Sequence, residues 1–233
     1  MPQCTRCSRW YLTWQLKDGV CPGCLETRRY RGELPQTSPL RCVNRWEKLA
    51  PPDMLAWIRA GKPYIALDTE TTGLEPDQDA IIEIGAVRME QGKETDRFST
   101  LVHSARLLPQ VIRELTGIDD AMLADAPEMG QVIRAFADFL GDLPVAAHNA
   151  AFDLQFLCRA GEDFGVDLGK PAACDTVRLG RQLFPELENH KLGTLMQAIG
   201  YVNEHAHRAT DDAMAVAALL EYAAQRPEMW KEE

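Results

Sequence analysis

Tyr64-Ile-Ala-Leu-Asp68-Thr-Glu70-Thr-Thr-Gly-Leu74 carries the first clue to both fold and chemistry. It begins as an apolar strand and ends in two acids with one residue between them. Successive strand side chains point to opposite faces, so Asp68 and Glu70 project from the same face at the strand's end. Two carboxylates that close repel, and each raises the other's pKa unless a cation sits between them. Thr71-Thr72-Gly73 is turn chemistry that brings the backbone round beside the acids. Alone, the pair is equally well explained as two solvated acids at a strand end. Further carboxylates in compatible settings change that balance.

They follow along an alternation of strands and helices. Ala80–Glu90 is a largely apolar strand, and Gln91-Gly92-Lys93 turns it into a third strand around Arg97–His103, forming a hairpin. Glu83, inside the apolar run, is expected to be a structural acid. Two short helices are expected over residues 109–124, and an amphipathic one over Gln131–Leu140. Pro144–His148 forms a buried strand, after which Asn149 suits an N-cap and Asp153 falls in the first turn of the next helix. A strand over Ala172–Asp175, a helix to Phe184, the loop Pro185–Lys191 and a short helix through Leu195–Ile199 come next. The polar loop Asn203–Thr210 carries His205 and His207 and leads into the Ala-rich helix Asp211–Ala224, with Asp212 in its first turn. Such alternation opened by a hairpin specifies an α/β protein with a mixed sheet and helices on its faces.

Composition restricts the partners. The 233 residues are 45% hydrophobic and 26% charged, the profile of an ordinary globular chain holding one full domain and a small appendage. No apolar run approaches the roughly 18–20 residues of a membrane span, and no secretory signal is evident, so a cytoplasmic location is expected. Residues 1–50 hold nine Lys/Arg against four Asp/Glu, whereas the whole chain has a net charge of −10. An acidic body argues against coating nucleic acid by bulk electrostatics, but not against gripping a strand end locally through metal ions.

Four acids share one kind of position. Asp68 and Glu70 end a strand, Asp153 opens a helix after a strand, and Asp212 opens the last helix. In a layered α/β fold such positions can converge on one edge of the sheet. Four carboxylates in one pocket suit two hard divalent cations, Mg²⁺ or Mn²⁺, rather than zinc. Two such ions can stabilise the attacking and leaving oxygens of an in-line phosphoryl displacement. His207 has the pKa range to take the proton of the attacking water.

Asp68-Thr-Glu70-Thr-Thr-Gly-Leu, His148-Asn-Ala-Ala-Phe-Asp153 and His207-Arg-Ala-Thr-Asp-Asp212 resemble, in this order, the three motifs of the DEDDh 3′–5′ exonucleases. This DnaQ-like group includes the epsilon proofreading subunit of DNA polymerase III and RNase T. Asn189-His-Lys-Leu-Gly-Thr-Leu195 also looks like a stretch common in that group, so the resemblance spans roughly residues 62–225. It implies an RNase H-like fold with a five-stranded mixed sheet. It further implies Asp68, Glu70, Asp153 and Asp212 as ligands of two Mg²⁺ or Mn²⁺ ions and His207 as general base. Thr69, Gly73, Leu74 and Phe152 would lie along the terminal nucleotide, with Asn149 beside them. His205 and Asp211 match no motif position and are expected at the surface. The activity implied is release of nucleoside 5′-monophosphates from single-stranded 3′ ends, DNA favoured over RNA. An RNA-trimming enzyme of the RNase T or oligoribonuclease type is the alternative enzyme. A non-catalytic nucleic-acid or polymerase-binding adaptor is the alternative of another class.

The N-terminal segment lies outside this resemblance. Cys4-x2-Cys7 and Cys21-x2-Cys24, with 13 residues between the hooks, suit one tetrahedral zinc in a segment too small for its own core. Trp10, Tyr11 and Trp14 are expected to pack on it, and Cys42, Cys158 and Cys174 to be buried or incidental thiols. The expected organisation is a zinc-binding segment over 1–30, a basic linker with a short helix near Asp53–Ala60 over 31–61, the exonuclease domain over 62–226 and a tail over 227–233. The first segment is expected to dock nucleic acid or a polymerase or repair partner.

Overall fold

The alternation along β2 (Tyr64–Thr71) decides which side of the molecule each acid faces. In the computed structural model, which describes residues 46–203 and 206–229, Tyr64 and Ala66 point into one apolar cluster and Ile65 and Leu67 into another. The strands are β1 (Glu47–Lys48), β2, β3 (Ile81–Glu90), β4 (Lys93–Leu101), β5 (Val145–Ala147) and β6 (Ala172–Asp175). They form one sheet in the order β1-β6-β5-β2-β3-β4. The β1, β6, β5 and β2 neighbours run parallel, while β2, β3 and β4 pair antiparallel.

Helices cover both faces. α1 (Pro51–Arg59), α6 (Thr176–Leu183), α7 (Leu192–Ile199) and α8 (Ala209–Ala224) build the cluster that contains Tyr64 and Ala66. α4 (Met129–Leu140) and α5 (Ala150–Phe164) build the other, while α2 (Gln110–Thr116) and α3 (Asp120–Ala124) close a small satellite core around Ile82 and Ile118. The α/β class and mixed sheet are as expected, but the sheet has six strands rather than five. The sixth, β1, is two residues long and too short to leave a period-2 signal; it pairs in parallel with Ala172–Ala173.

β1 also shifts a boundary. The segment 31–61, expected as linker and short helix, belongs from residue 46 onward to the folded body. Trp46 is buried, with its Nε1 donating to the Cys158 sulfur at 2.8 Å, and Met54 and Leu55 of α1 are fully buried. The hairpin differs as well. Gln91 and Gly92 both have positive φ, a two-residue turn matching the twist of paired strands, so β4 starts at Lys93 rather than near Arg97. Its Lys-Glu-Thr-Asp start reads as loop by composition, yet charged residues are what an exposed edge strand carries. The cysteine hooks, the three aromatic residues between them, Cys42 and His205 lie outside the described residues. Cys158 and Cys174 are buried as expected. No described helix is long and apolar enough to cross a membrane.

The last helix begins at Ala209, two residues earlier than expected, and its first residues lie against a glycine. A Cβ at Gly85 of β3 would lie 2.2 Å from the Ala209 carbonyl carbon and 2.2 Å from the Thr210 nitrogen. Only a bare backbone there lets the N-terminus of α8 settle onto the sheet beside Asp68, whose Cα partner is Gly85. Backbone cannot yield as a flexible side chain can. Gly85→Ala is therefore expected to cost about 2–3 kcal/mol of stability, at the upper end of ordinary overpacking. Urea unfolding of the two proteins measures it, and coincident midpoints would contradict the close approach.

Candidate active site

The acids reach one edge of the sheet from both of its faces. Asp68 and Glu70 have the parity of Tyr64 and Ala66 and therefore face α8, where Asp212 sits in the first turn. Thr69 has the opposite parity and faces α5. Its backbone N–H and its hydroxyl both donate to Asp153 Oδ1, at 2.9 and 2.8 Å. The strand end is thus flanked by carboxylates on either side. Asp212 is fastened in turn: Asn203 Nδ2 donates to Oδ1 at 2.7 Å and the His207 backbone N–H to Oδ2 at 3.0 Å. His207 takes a left-handed φ of 68° there, and a donor atom from each of Glu70, His207 and Asp212 lies within 4.8 Å of the others.

Electrostatics bears out the crowding. Asp68 is held well above the usual carboxylate range, first by burial and then by repulsion from Asp153, Glu70, Asp212 and Glu83. Burial followed by Asp212, Glu83 and Asp153 pushes Glu70 up to about 8, against a lowering pull from Arg208. Burial pushes Asp153 up to about 7 despite the two hydrogen bonds from Thr69. Asp212 is raised as well, by burial, with its donors from His207 and Asn203 opposing. Such a set of hard oxygen donors, each disfavouring its neighbour's charge, fits divalent cations of the Mg²⁺ class.

Glu83 is the structural acid its apolar setting suggests. It is 2% exposed, accepts both Arg208 Nε and Nη2, the latter at 2.7 Å, and accepts the Ala209 N–H at 3.0 Å. This clamp fixes the residue after His207 and the first residue of α8.

The expected substrate-contact residues occupy different settings. Thr69 is 5% exposed and its hydroxyl is committed to Asp153, so it supports the carboxylate rather than presenting itself at the surface. Asn149 precedes α5 but is no side-chain cap: its φ of 68° is left-handed, and it is its backbone N–H that donates to Asp175 Oδ1 at 3.1 Å. Leu74 is 76% exposed at the rim. Phe152 is half-buried, with its ring 5.0 Å from that of Phe156. A Cβ at Gly73 would strike the Asp79 carboxylate, which explains the glycine by packing. Sequence alone does not single out Asn203, Arg208 or Asp175 as site residues. Arg208 and Asp175 act through long-range hydrogen bonds and Asn203 through one across the loop before α8, and none of these leaves a spacing signal.

Comparison with known proteins accords with this geometry. The RNase T family model, described as an exonuclease, matches residues 65–220. The chain belongs to that exonuclease family. It is 43% identical over 158 residues to the PolC-type DNA polymerase III of Bacillus subtilis and 41% identical over 160 residues to that of Clostridium perfringens. These matches cover 67% and 69% of this chain but only 11% of each polymerase. In fold it is similar to exonuclease I of E. coli in complex with a dT13 oligonucleotide, with a TM-score of 0.63 at 18% identity over 71% of this chain and 42% of that one.

The raised carboxylates make stability depend on pH. Between the unfolded carboxylate range near 4.5 and the folded value of about 8 for Glu70, the folded protein holds protons that the unfolded chain has released. Stability of the metal-free protein should therefore fall as pH rises from 5 to 9. Mg²⁺ should raise the melting temperature more at pH 8.5 than at pH 6, because it competes with those protons. Melting curves in chelator and in Mg²⁺ test this; a metal-free protein that gains stability towards pH 9 would contradict the repulsion.

Proposed function

We propose that the chain is a divalent-metal-dependent 3′–5′ exonuclease that releases nucleoside 5′-monophosphates from single-stranded DNA ends. What supports this is that Glu70, His207 and Asp212 offer donor atoms within 4.8 Å of one another. Asp153, Glu70 and Asp212 all lie near enough to Asp68 to raise its proton affinity, although these residues come from β2, α5, α8 and the loop before α8. In this reading Asp68, Glu70, Asp153 and Asp212 hold two Mg²⁺ or Mn²⁺ ions. Bound there, such ions supply positive charge to the phosphodiester oxygens as an in-line displacement develops.

The chain's own groups do the rest. His207 takes the proton of the water that attacks the terminal phosphorus, and the bond from phosphorus to the 3′ oxygen of the shortened strand breaks. The Glu83 clamp on Arg208 and Ala209 and the hydrogen bond from the His207 N–H to Asp212 keep that histidine from swinging away. Thr69 steadies Asp153. Leu74 and Phe152 offer apolar surface to the terminal nucleoside, with Gly73 and Asn149 alongside. DNA is preferred because the relatives at about 40% identity are DNA polymerases and a structural neighbour holds a dT13 strand. The same relatives make a polymerase a reasonable partner. The Cys4, Cys7, Cys21 and Cys24 hooks would hold one structural zinc in the segment preceding the catalytic body.

Incubation of end-labelled single-stranded DNA and RNA with Mg²⁺ or Mn²⁺ tests the activity. Stepwise shortening from the 3′ end, faster on DNA and abolished by chelator, is expected. Faster shortening of RNA would favour the RNA-trimming enzyme, and no shortening of either would overturn the proposal. His207→Ala should slow turnover by about 10²–10⁴-fold, the range of a general base. Asp153→Ala should nearly abolish it in a protein that still folds; a folded variant of near-normal rate would remove Asp153 from the site. Native mass spectrometry should find one zinc per chain, absent from Cys4→Ser/Cys21→Ser, and a chain free of zinc would sink the knuckle.

A further inference from the structure

A hollow of about 530 Å³ is lined among others by His148, Asn149, Arg181, Asn189, His190 and Lys191. Its size is that of a small-ligand site. It lies past the carboxyl ends of β6 and of β5, the latter being the neighbour of β2 in the sheet, and Asn149 directly precedes α5, which carries Asp153.

The walls are preorganised. His148 Nε2 donates to the His190 carbonyl at 2.9 Å, while its Nδ1 lies 3.1 Å from the Thr176 hydroxyl. Burial lowers the His148 pKa. His190 Nε2 donates to the Phe184 carbonyl at 3.0 Å. Asn189 Oδ1 accepts from the Lys191 N–H and from the Thr194 hydroxyl, which leaves its amide nitrogen without a partner among the described residues. The loop before α7 is thereby fixed rather than loose.

Most of the described arginines are engaged elsewhere, and two cations at this hollow are not. Arg208 is bound to Glu83, Arg159 to Asp77 and Asp163, Arg113 to Asp120, Arg97 to Glu94, and Arg88 to Asp96. Arg106 donates to the Gln78 carbonyl and Arg134 to the Gly130 carbonyl. Arg181 and Lys191 carry no ion pair among the described residues, and both line the hollow; against them stands Glu188 on the rim. On a chain of net charge −10, a polyanion cannot be held by bulk attraction and needs local donors. Arg181, Lys191 and the Asn189 amide supply them.

We infer that this hollow is a second strand-binding site, which holds a backbone phosphodiester of single-stranded DNA on the 5′ side of the bond to be cut. The inference rests on the exonuclease reading only for the direction of the strand. Its effect is on grip: the hollow retains the strand between cuts.

The test is equilibrium binding of a fluorescent phosphorothioate 12-mer of single-stranded DNA, followed by anisotropy in Ca²⁺ over a range of salt. Wild type is compared with Arg181→Ala/Lys191→Ala and with the charge-conserving Arg181→Lys/Lys191→Arg. The alanine pair should weaken binding about tenfold and make the salt dependence shallower, by about 0.7 in logarithmic slope for each phosphate no longer gripped. The conserving pair should restore most of both, which a merely damaged fold would not do. Equal affinity and slope in wild type and the alanine pair would overturn the site, as would failure of wild type to bind. Should wild type bind through these residues yet leave strands uncut in Mg²⁺, the hollow stands and the exonuclease proposal fails.

Discussion

Like charges forced together out of water are the constraint around which the catalytic edge is built. Burial is the leading cause of raised proton affinity at Asp68, Glu70, Asp153 and Asp212, and mutual repulsion adds to it at Asp68 and Glu70. Left alone, such groups protonate or spread apart. The surrounding donors oppose both outcomes: Thr69 at Asp153, Asn203 and the His207 N–H at Asp212, and the Arg208 charge near Glu70. None of these donors cancels the charge. That task is left to whatever cation the site takes.

The sheet itself is the instrument that brings the acids together without a shared segment. Parity along β2 sends two carboxylates to the α8 face and a threonine to the α5 face, where it holds a third. Gly85 then permits the fourth to arrive, because α8 rests its first turn on bare backbone. Glu83 completes the junction. Buried charges of this kind are weak evidence for net stability, but removing one partner strands the other, at a cost of about 3–5 kcal/mol. The clamp is therefore a positional device: Glu83 stands opposite Glu70 in the β2–β3 ladder, so its grip on Arg208 sets where the His207 loop lies relative to that acid.

Much of this is legible in the chain. Short-range periodicity exposes β2, β3, α4, α5 and α8, and the acids at their ends mark one edge of an α/β sheet. Glu83 can be recognised as structural because an acid inside Ile-Ile-Glu-Ile has to find a buried partner. Three kinds of feature stay hidden. β1 is too short to show a period, β4 is an edge strand whose polar residues imitate a loop, and the supports from Arg208 and Asp175 depend on hydrogen bonds between distant segments, that from Asn203 on the path of the loop before α8. Asn149 misleads for a further reason. The residue type suits a helix cap, yet Asn also tolerates left-handed backbone, and here the second property is the one in use.

Two divalent ions, taken up at this edge of the sheet in exchange for protons, are what the proposed chemistry requires above all. Titration of the metal-free protein with Mn²⁺, counting bound ions by electron paramagnetic resonance and released protons in weak buffer near pH 7, tests this most directly. Two ions per chain with proton release, both abolished in Asp68→Asn, are predicted. Binding without proton release, or undiminished in that variant, would contradict it.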